Sequence, residues 1–177
     1  GILGTYLLGS LNLLTGILSV FSILFYAFIY TPLKQKSPIA VFMGAIPGAL
    51  PPLIGYVAAH GKIDEIALIL FGIQFVWQFP HFWAIAWVLD DDYKKAGFRL
   101  LPTTKRDRTS AVITFISTLI LIPVSLLPTI YGFGGNIIAG VSIVCGLIFC
   151  YQAFVLMRKL DVKSAQSLMF GSFIYLP

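Results

Sequence analysis

Charge is what this 177-residue chain has least of. Asp, Glu, Lys and Arg together make up 11% of it, against about 25% in an ordinary soluble domain. That shortage excludes a solvated globule. There are two cysteines, Cys145 and Cys150. They sit five residues apart in an apolar run, on different faces of a helix, so buried free thiols are expected rather than a disulfide or a metal pair. No P-loop, zinc-ligand spacing or nucleophile elbow occurs. There are two histidines, His60 and His81, and seven acidic residues. The chain does not open with Met and stops inside an apolar run at Tyr175-Leu176-Pro177. It is therefore expected to be a single transmembrane helical domain over 1–177, truncated at both ends. No signal peptide can be judged from it.

Hydrophobic length is what the chain has instead. Apolar residues make up 58% of it and the mean hydropathy is +0.92. Six apolar segments follow one another, at 3–30, 38–59, 65–89, 110–131, 135–157 and 165–177. The first five are long enough to span a bilayer; the last is cut short. The expected fold class is all-α, a polytopic transmembrane helix bundle. Lys34 and Lys36 lie in the first loop and Lys62 alone in the second. Lys94, Lys95, Arg99, Lys105, Arg106 and Arg108 lie in the third, and Arg158, Lys159 and Lys163 in the fifth. Loops one, three and five thus hold all but one of the basic residues. The positive-inside rule then places those three loops in the cytoplasm; the expected location is the plasma (inner) membrane, as a multi-pass protein. The net charge of +5 is a topology signal and does not point to nucleic acid.

Chemistry concentrates between Gln74 and Arg108. An aromatic helix carries Gln74, Gln78 and His81 through its middle, then meets Asp90, Asp91 and Asp92 and a basic loop. On an ideal helix Gln78 lies about 40° from Gln74, His81 about 20° to the other side, and Asp92 returns to about 0°. Asp91 and Asp90 fall about 100° and 160° away. Asp92 is therefore expected to continue the buried polar stripe, although Pro80 makes phases across it approximate. An ionisable group in mid-membrane is costly, which makes His81 a site candidate ahead of a structural histidine. Trp77 and Trp83 read first as packing aromatics. Three adjacent carboxylates need neutralising, and carboxylate with phosphate oxygens is how Mg²⁺ is usually held. Lys94, Lys95 and Arg99 nearby suit a polyphosphate.

The remaining segments read as scaffold. Asn12, Thr15 or Gly16, and Ser19 form a small polar packing face. Tyr30-Thr31-Pro32 is expected to end the first helix, and Ser37-Pro38 to start the second. Pro47, Pro51 and Pro52 should leave that second helix bent or partly broken, lining protein or a cavity. Gly44 and Gly48 should allow a close approach.

The motifs YTPLKQKSP, GAIPGALPPLIGY, WQFPHFWAIAW and DYKKAGFRLLP closely resemble the haem O synthase branch of the UbiA-type intramembrane prenyltransferases. The resemblance covers nearly the whole chain, and PHFWA followed by DYxxAGxxxLP is its specific part. It implies a nine-helix fold around a central cavity, with this chain matching helices four to nine and the N-terminal third missing. It implies farnesyl transfer from farnesyl diphosphate to the vinyl group of haem B, giving haem O, with Mg²⁺ as cofactor. Asp92, His81 and Lys34 would be catalytic. Lys34, Lys94, Lys95, Arg99, Tyr93, Trp77 and Trp83 would bind substrate, and Asp90, Asp91 and Asp92 the metal. Implied partners are farnesyl diphosphate, haem B, the lipid bilayer, and haem A synthase or terminal oxidase assembly factors. The missing first acidic motif implies that 1–177 alone is inactive. Two alternatives stand: a UbiA-type enzyme acting on an aromatic quinone precursor, and a non-enzymatic transporter.

Overall fold

A computed structural model describes residues 1–176. All regular structure among them is helical. The elements are α1 (Ile2–Leu11), α2 (Leu13–Phe25), a π-helical turn (Tyr26–Tyr30), α3 (Thr31–Leu33), α4 (Ala40–His60), α5 (Glu65–Val88), α6 (Asp90–Lys95), α7 (Arg108–Ser125), α8 (Leu127–Ile130), α9 (Asn136–Lys159) and α10 (Val162–Tyr175). Five continuous helical stretches are long and apolar enough to cross a membrane: Leu13–Leu33, Ala40–His60, Glu65–Val88, Arg108–Ile130 and Asn136–Lys159. The chain is a multi-pass membrane protein.

Two of the expected boundaries move. The apolar segment 3–30 is not one helix. Asn12 is fully extended, at φ −162° and ψ 157°, and α1 folds back along α2. Thr5 and Ser19 hydroxyls meet at 3.1 Å across that hairpin. Asn12 supports the break by accepting the Thr15 N–H at 2.9 Å and donating to the Val57 carbonyl at 3.0 Å. It is an N-cap and an interhelical tie together. Apolar periodicity cannot reveal such a turn, because both helices are apolar throughout. The second shift is small: the helix runs through Pro32 and ends one residue later, at Leu33. The proline has no N–H to give, and an α-turn would press its ring on the carbonyl four residues back. The π turn before it absorbs this strain. The Tyr26 carbonyl takes both the Thr31 N–H and, at 2.9 Å, the Thr31 hydroxyl.

Helix α4 is likewise not broken. It runs unbroken from Ala40 to His60 through Pro47, Pro51 and Pro52. Ser37 precedes it in a turn, accepting the Ile39 N–H at 3.3 Å, and helix begins at Ala40. Asp64 caps α5, accepting from Ile66 and Ala67.

Helix α5 is the shared wall of the fold. On one side it packs with α7 and α10, which carry α9, around Trp87, Leu121, Phe149, Leu156 and Leu168. On the other it meets α4, which carries α2, around Leu50, Leu53, Val57 and Ala67. Lipid supplies no hydrophobic drive between helices, so close packing of small residues must do it. Ala45, Ala49, Ala84, Ala111, Ala153 and Ala165 are accordingly sealed in the contacts. Ile137, Ile138, Val141, Val144 and Ile148 of α9 stay exposed toward lipid. Cys145 and Cys150 are free and only partly buried.

Candidate active site

Three walls enclose an apolar cavity of about 460 Å³. Tyr26 and Tyr30 of the π turn form one, Val41, Gly44, Pro47 and Gly48 of α4 the second, and Gln78, Phe82 and Ile85 of α5 the third. Tyr93 and Leu100, from the α5–α7 connection, close one end. The π turn brings the Tyr26 and Tyr30 rings to 4.9 Å, and Gly44 receives the Tyr30 ring. Gly48 receives the Gln78 side chain so closely that a Cβ there would overlap the amide oxygen. The two glycines thus admit side chains from different helices. The Gln78 amide nitrogen donates to the Ala45 carbonyl at 3.2 Å and to the Gln74 carbonyl at 3.1 Å. Two carbonyl acceptors fix which end of the amide is nitrogen, so the oxygen lies over Gly48. Gly48→Ala is expected to push Gln78 out of this seat and cost about 1–3 kcal/mol. Detergent melting curves of Gly48→Ala and of the Gly48→Ala/Gln78→Ala pair check it. A second change that gives no relief contradicts the contact.

The acidic turn is built differently from the helical-phase expectation. Helix α5 ends at Val88, Leu89 leaves helical geometry at φ −99° and ψ 16°, and α6 begins with a new phase. Asp90 is therefore the buried carboxylate, 6% exposed. The side chains of Asp91 and Asp92 are 73% and 75% exposed. Asp92 does not face the bundle interior. Asp90 Oδ2 lies 2.6 Å from Lys94 Nζ and 3.6 Å from Arg106 Nε. Asp91 pairs with Arg106 Nη1 at 3.1 Å, and Asp92 with Lys95 at 3.5 Å. Among the described residues no three His, Cys, Asp or Glu side chains converge as a metal cage. The donor set still fits Mg²⁺, which usually takes one or two carboxylates and completes its shell with water and phosphate.

The DYKKAGF sequence ends α6 in a Schellman motif. Gly97 sits at φ 76°, a left-handed position that favours glycine. The Gly97 N–H meets the Lys94 carbonyl at 3.0 Å and the Phe98 N–H meets the Tyr93 carbonyl at 2.8 Å. The apolar contact that accompanies this motif is Tyr93 against Phe98, ring to ring at 6.0 Å. Phe98 then carries the Lys34 ammonium 4.8 Å above its ring, and the Arg99 N–H reaches the Lys34 carbonyl at 3.3 Å. One helix ending thereby seats Lys34 on Phe98 and places Tyr93 in the cavity lining. Burial raises the Tyr93 phenol above its ordinary value. Lys95 and the Arg99 side chain remain exposed.

His81, Trp77 and Trp83 do not line this cavity. Trp77 Nε1 donates to the Ser172 carbonyl at 3.0 Å, and its ring stacks on His81 at 4.4 Å. Trp83 faces the opposite side of the α4–α5 pair with Phe42 and Phe79. His81 of α5, 8% exposed, packs against α10 with Nδ1 2.7 Å from the Ser172 hydroxyl. That hydroxyl is 2.5 Å from the Met169 carbonyl. It has one proton, and the carbonyl contact cannot hold without it. Ser172 then accepts from His81 Nδ1–H, and in the neutral imidazole Nε2 is the unprotonated nitrogen, with no hydrogen bond to a described residue.

Arg106 is the residue that sequence reasoning passed over. Its guanidinium donates to the Trp87 carbonyl at 2.7 Å, the Val88 carbonyl at 3.3 Å and Asp91 at 3.1 Å. Nothing in the sequence separates it from loop cations that only obey positive-inside. Tyr26 was equally unmarked, since the π turn that aims it is a consequence of Pro32.

An apolar chamber between membrane-spanning helices, with an acidic and basic turn directly after α5, defines a class: polytopic helical membrane proteins with an intramembrane cavity. The chain belongs to the UbiA prenyltransferase family, whose model matches residues 1–176. It is 51% identical over 178 residues to "Protoheme IX farnesyltransferase" of Cytophaga hutchinsonii, covering 99% of this chain and 62% of that protein. Proteins of the same name from Christiangramia forsetii and Flavobacterium johnsoniae are 45% and 42% identical, each over 99% of this chain and 60% of theirs. The chain thus spans about three-fifths of the length of these relatives. No solved structure matches it.

Proposed function

We propose that the whole protein is a haem O synthase: it transfers a farnesyl group from farnesyl diphosphate to the vinyl group of haem B. The observation that carries this is the cavity sealed at one end by Tyr93, directly after the aspartates and beside the Lys34 seat. An apolar chain suits the chamber, and its diphosphate would lie beyond Tyr93, toward the charged residues of α6. The names of the relatives favour haem B as acceptor over a quinone precursor.

In this reading the C1–O bond of farnesyl diphosphate breaks and its electron pair leaves with the diphosphate. The vinyl π electrons form the new bond to C1. Water adds to the resulting cation and loses a proton, giving the hydroxyethylfarnesyl product. Lys34 and Lys94 offset charge as it develops on the leaving group. Asp90, Asp91 or Asp92 would hold Mg²⁺ together with phosphate oxygens, and the ion would supply further charge stabilisation to the leaving group. Tyr26, Tyr30 and Phe82 keep water from the allylic cation and turn ring faces to it. His81 Nε2, an open lone pair, is suited to the haem iron. The test is the full-length protein with haem B, farnesyl diphosphate and Mg²⁺, with the product read by mass. Haem O is expected; prenylation of an aromatic ring instead, or no product, overturns the assignment.

The loops bearing Lys34, Asp90–Asp92 and Arg158 are assigned to the cytoplasm of the plasma membrane from their basic residues. Cysteines placed at Lys36 and Thr104 are expected to resist an impermeant thiol reagent on intact cells, and one at Gly135 to label. The reverse pattern refutes this orientation.

A further inference from the structure

Helix α5 stops where its last carbonyls have no partner of their own. The four final carbonyls of any helix are left open, and that of Trp87 belongs to a residue that is 0% exposed. Arg106 closes this gap from the other end of the loop. Nε meets the Trp87 carbonyl at 2.7 Å and Nη2 the Val88 carbonyl at 3.3 Å. The same plane reaches the acids: Nη1 lies 3.1 Å from Asp91 Oδ2 and Nε 3.6 Å from Asp90 Oδ2. Only a rigid planar fork serves carbonyls and carboxylates at once; a lysine ammonium is a point charge. The backbone beneath Arg106 is itself held. Asp107 caps α7, accepting the Ser110 N–H at 2.8 Å and the Thr103 hydroxyl at 2.8 Å. The guanidinium therefore registers the acidic turn against the end of α5 and the start of α7. Its contacts and that of Lys94 fall on Oδ2 oxygens. Neither Oδ1 takes a hydrogen bond from a described residue.

We propose that Arg106 is the positioning residue of the acidic turn, holding buried Asp90 and exposed Asp91 by their Oδ2 atoms so that Asp91 Oδ1 faces a Mg²⁺–diphosphate head group. This rests on the function proposed above. Anchored by two backbone carbonyls, Arg106 acts as a fixed outer brace and not as a counter-ion that gives way. Removing such an outer partner typically costs about 10–100-fold in metal affinity.

The experiment uses the full-length protein, with Mn²⁺ as a spectroscopic probe and inorganic diphosphate as the head group, titrated by EPR on the folded, monodisperse fraction. Arg106→Lys and Arg106→Gln are each expected to weaken Mn²⁺ binding about tenfold or more, and to raise the Mg²⁺ needed for half-maximal haem O formation alike. A residue that only stabilises the fold would lower the yield of folded protein and leave the titration unmoved. Parent-like Mn²⁺ affinity in Arg106→Gln, or its restoration in Arg106→Lys, overturns the proposal. Asp91 is exposed, so Asp91→Asn folds regardless; unchanged Mn²⁺ affinity there overturns it too. If the unaltered protein binds no Mn²⁺ with diphosphate, the function proposed above has failed, and that is seen before any substitution is made.

Discussion

Asp90→Ala is expected to be the most destabilising single change in the acidic turn. Its carboxylate is enclosed, with Lys94 at 2.6 Å and Arg106 at 3.6 Å. Deleting it leaves two cations facing each other at the mouth of a low-dielectric bundle. Removing one partner of a fully buried pair costs about 3–5 kcal/mol. Lys94 is half exposed, which screens part of the interaction, so about 2 kcal/mol is expected. Asp92→Asn should change stability by no more than about 0.5 kcal/mol, as exposed substitutions do. The two effects separate cleanly in one pair of assays, detergent melting and Mg²⁺-dependent haem O formation. Asp90→Ala should move the first assay strongly. If Asp92 ligates Mg²⁺, its substitution should move only the second. A melting curve for Asp90→Ala that matches the parent defeats the burial argument.

His81→Ala is the second large effect. It removes the ring stacked on Trp77 at 4.4 Å, an edge contact to Phe173 at 5.1 Å and the bond to Ser172. A loss of about 2–3 kcal/mol in α5–α10 packing is expected from an emptied core site and a broken hydrogen bond. Ser172→Ala should cost about 1 kcal/mol, because only the hydrogen bond goes. If His81 Nε2 meets the haem iron, His81→Ala should also abolish the Soret change on haem addition while farnesyl diphosphate affinity stays unaltered. Ser172→Ala should weaken haem binding about tenfold by freeing the tautomer. Haem titrations that match the parent in both variants would show that His81 only joins helices.

Much of the protein was legible in one dimension because lipid imposes one dominant demand. Every spanning segment must satisfy its own backbone, so length and hydropathy suffice to find helices. The five long helices and the packing role of Asn12 follow from that. The DYKKAGF motif was readable only as a resemblance, and its Schellman ending emerged in the structure.

Orientation around the helix axes was not legible, and only tertiary structure decided it. A phase count assumes one unbroken helix. The break at Leu89 is stabilised by a guanidinium from beyond the loop, seventeen residues away in sequence, so Asp90 turns inward and Asp92 outward. The hairpin at Asn12 is chosen by a bond to Val57, on another helix. His81 faces α10 because Ser172 and Trp77 meet it there. Composition determines that these segments lie in a membrane as helices. Which side of each helix looks into the cavity depends on contacts between residues far apart in the chain, and a periodic pattern carries no information about those.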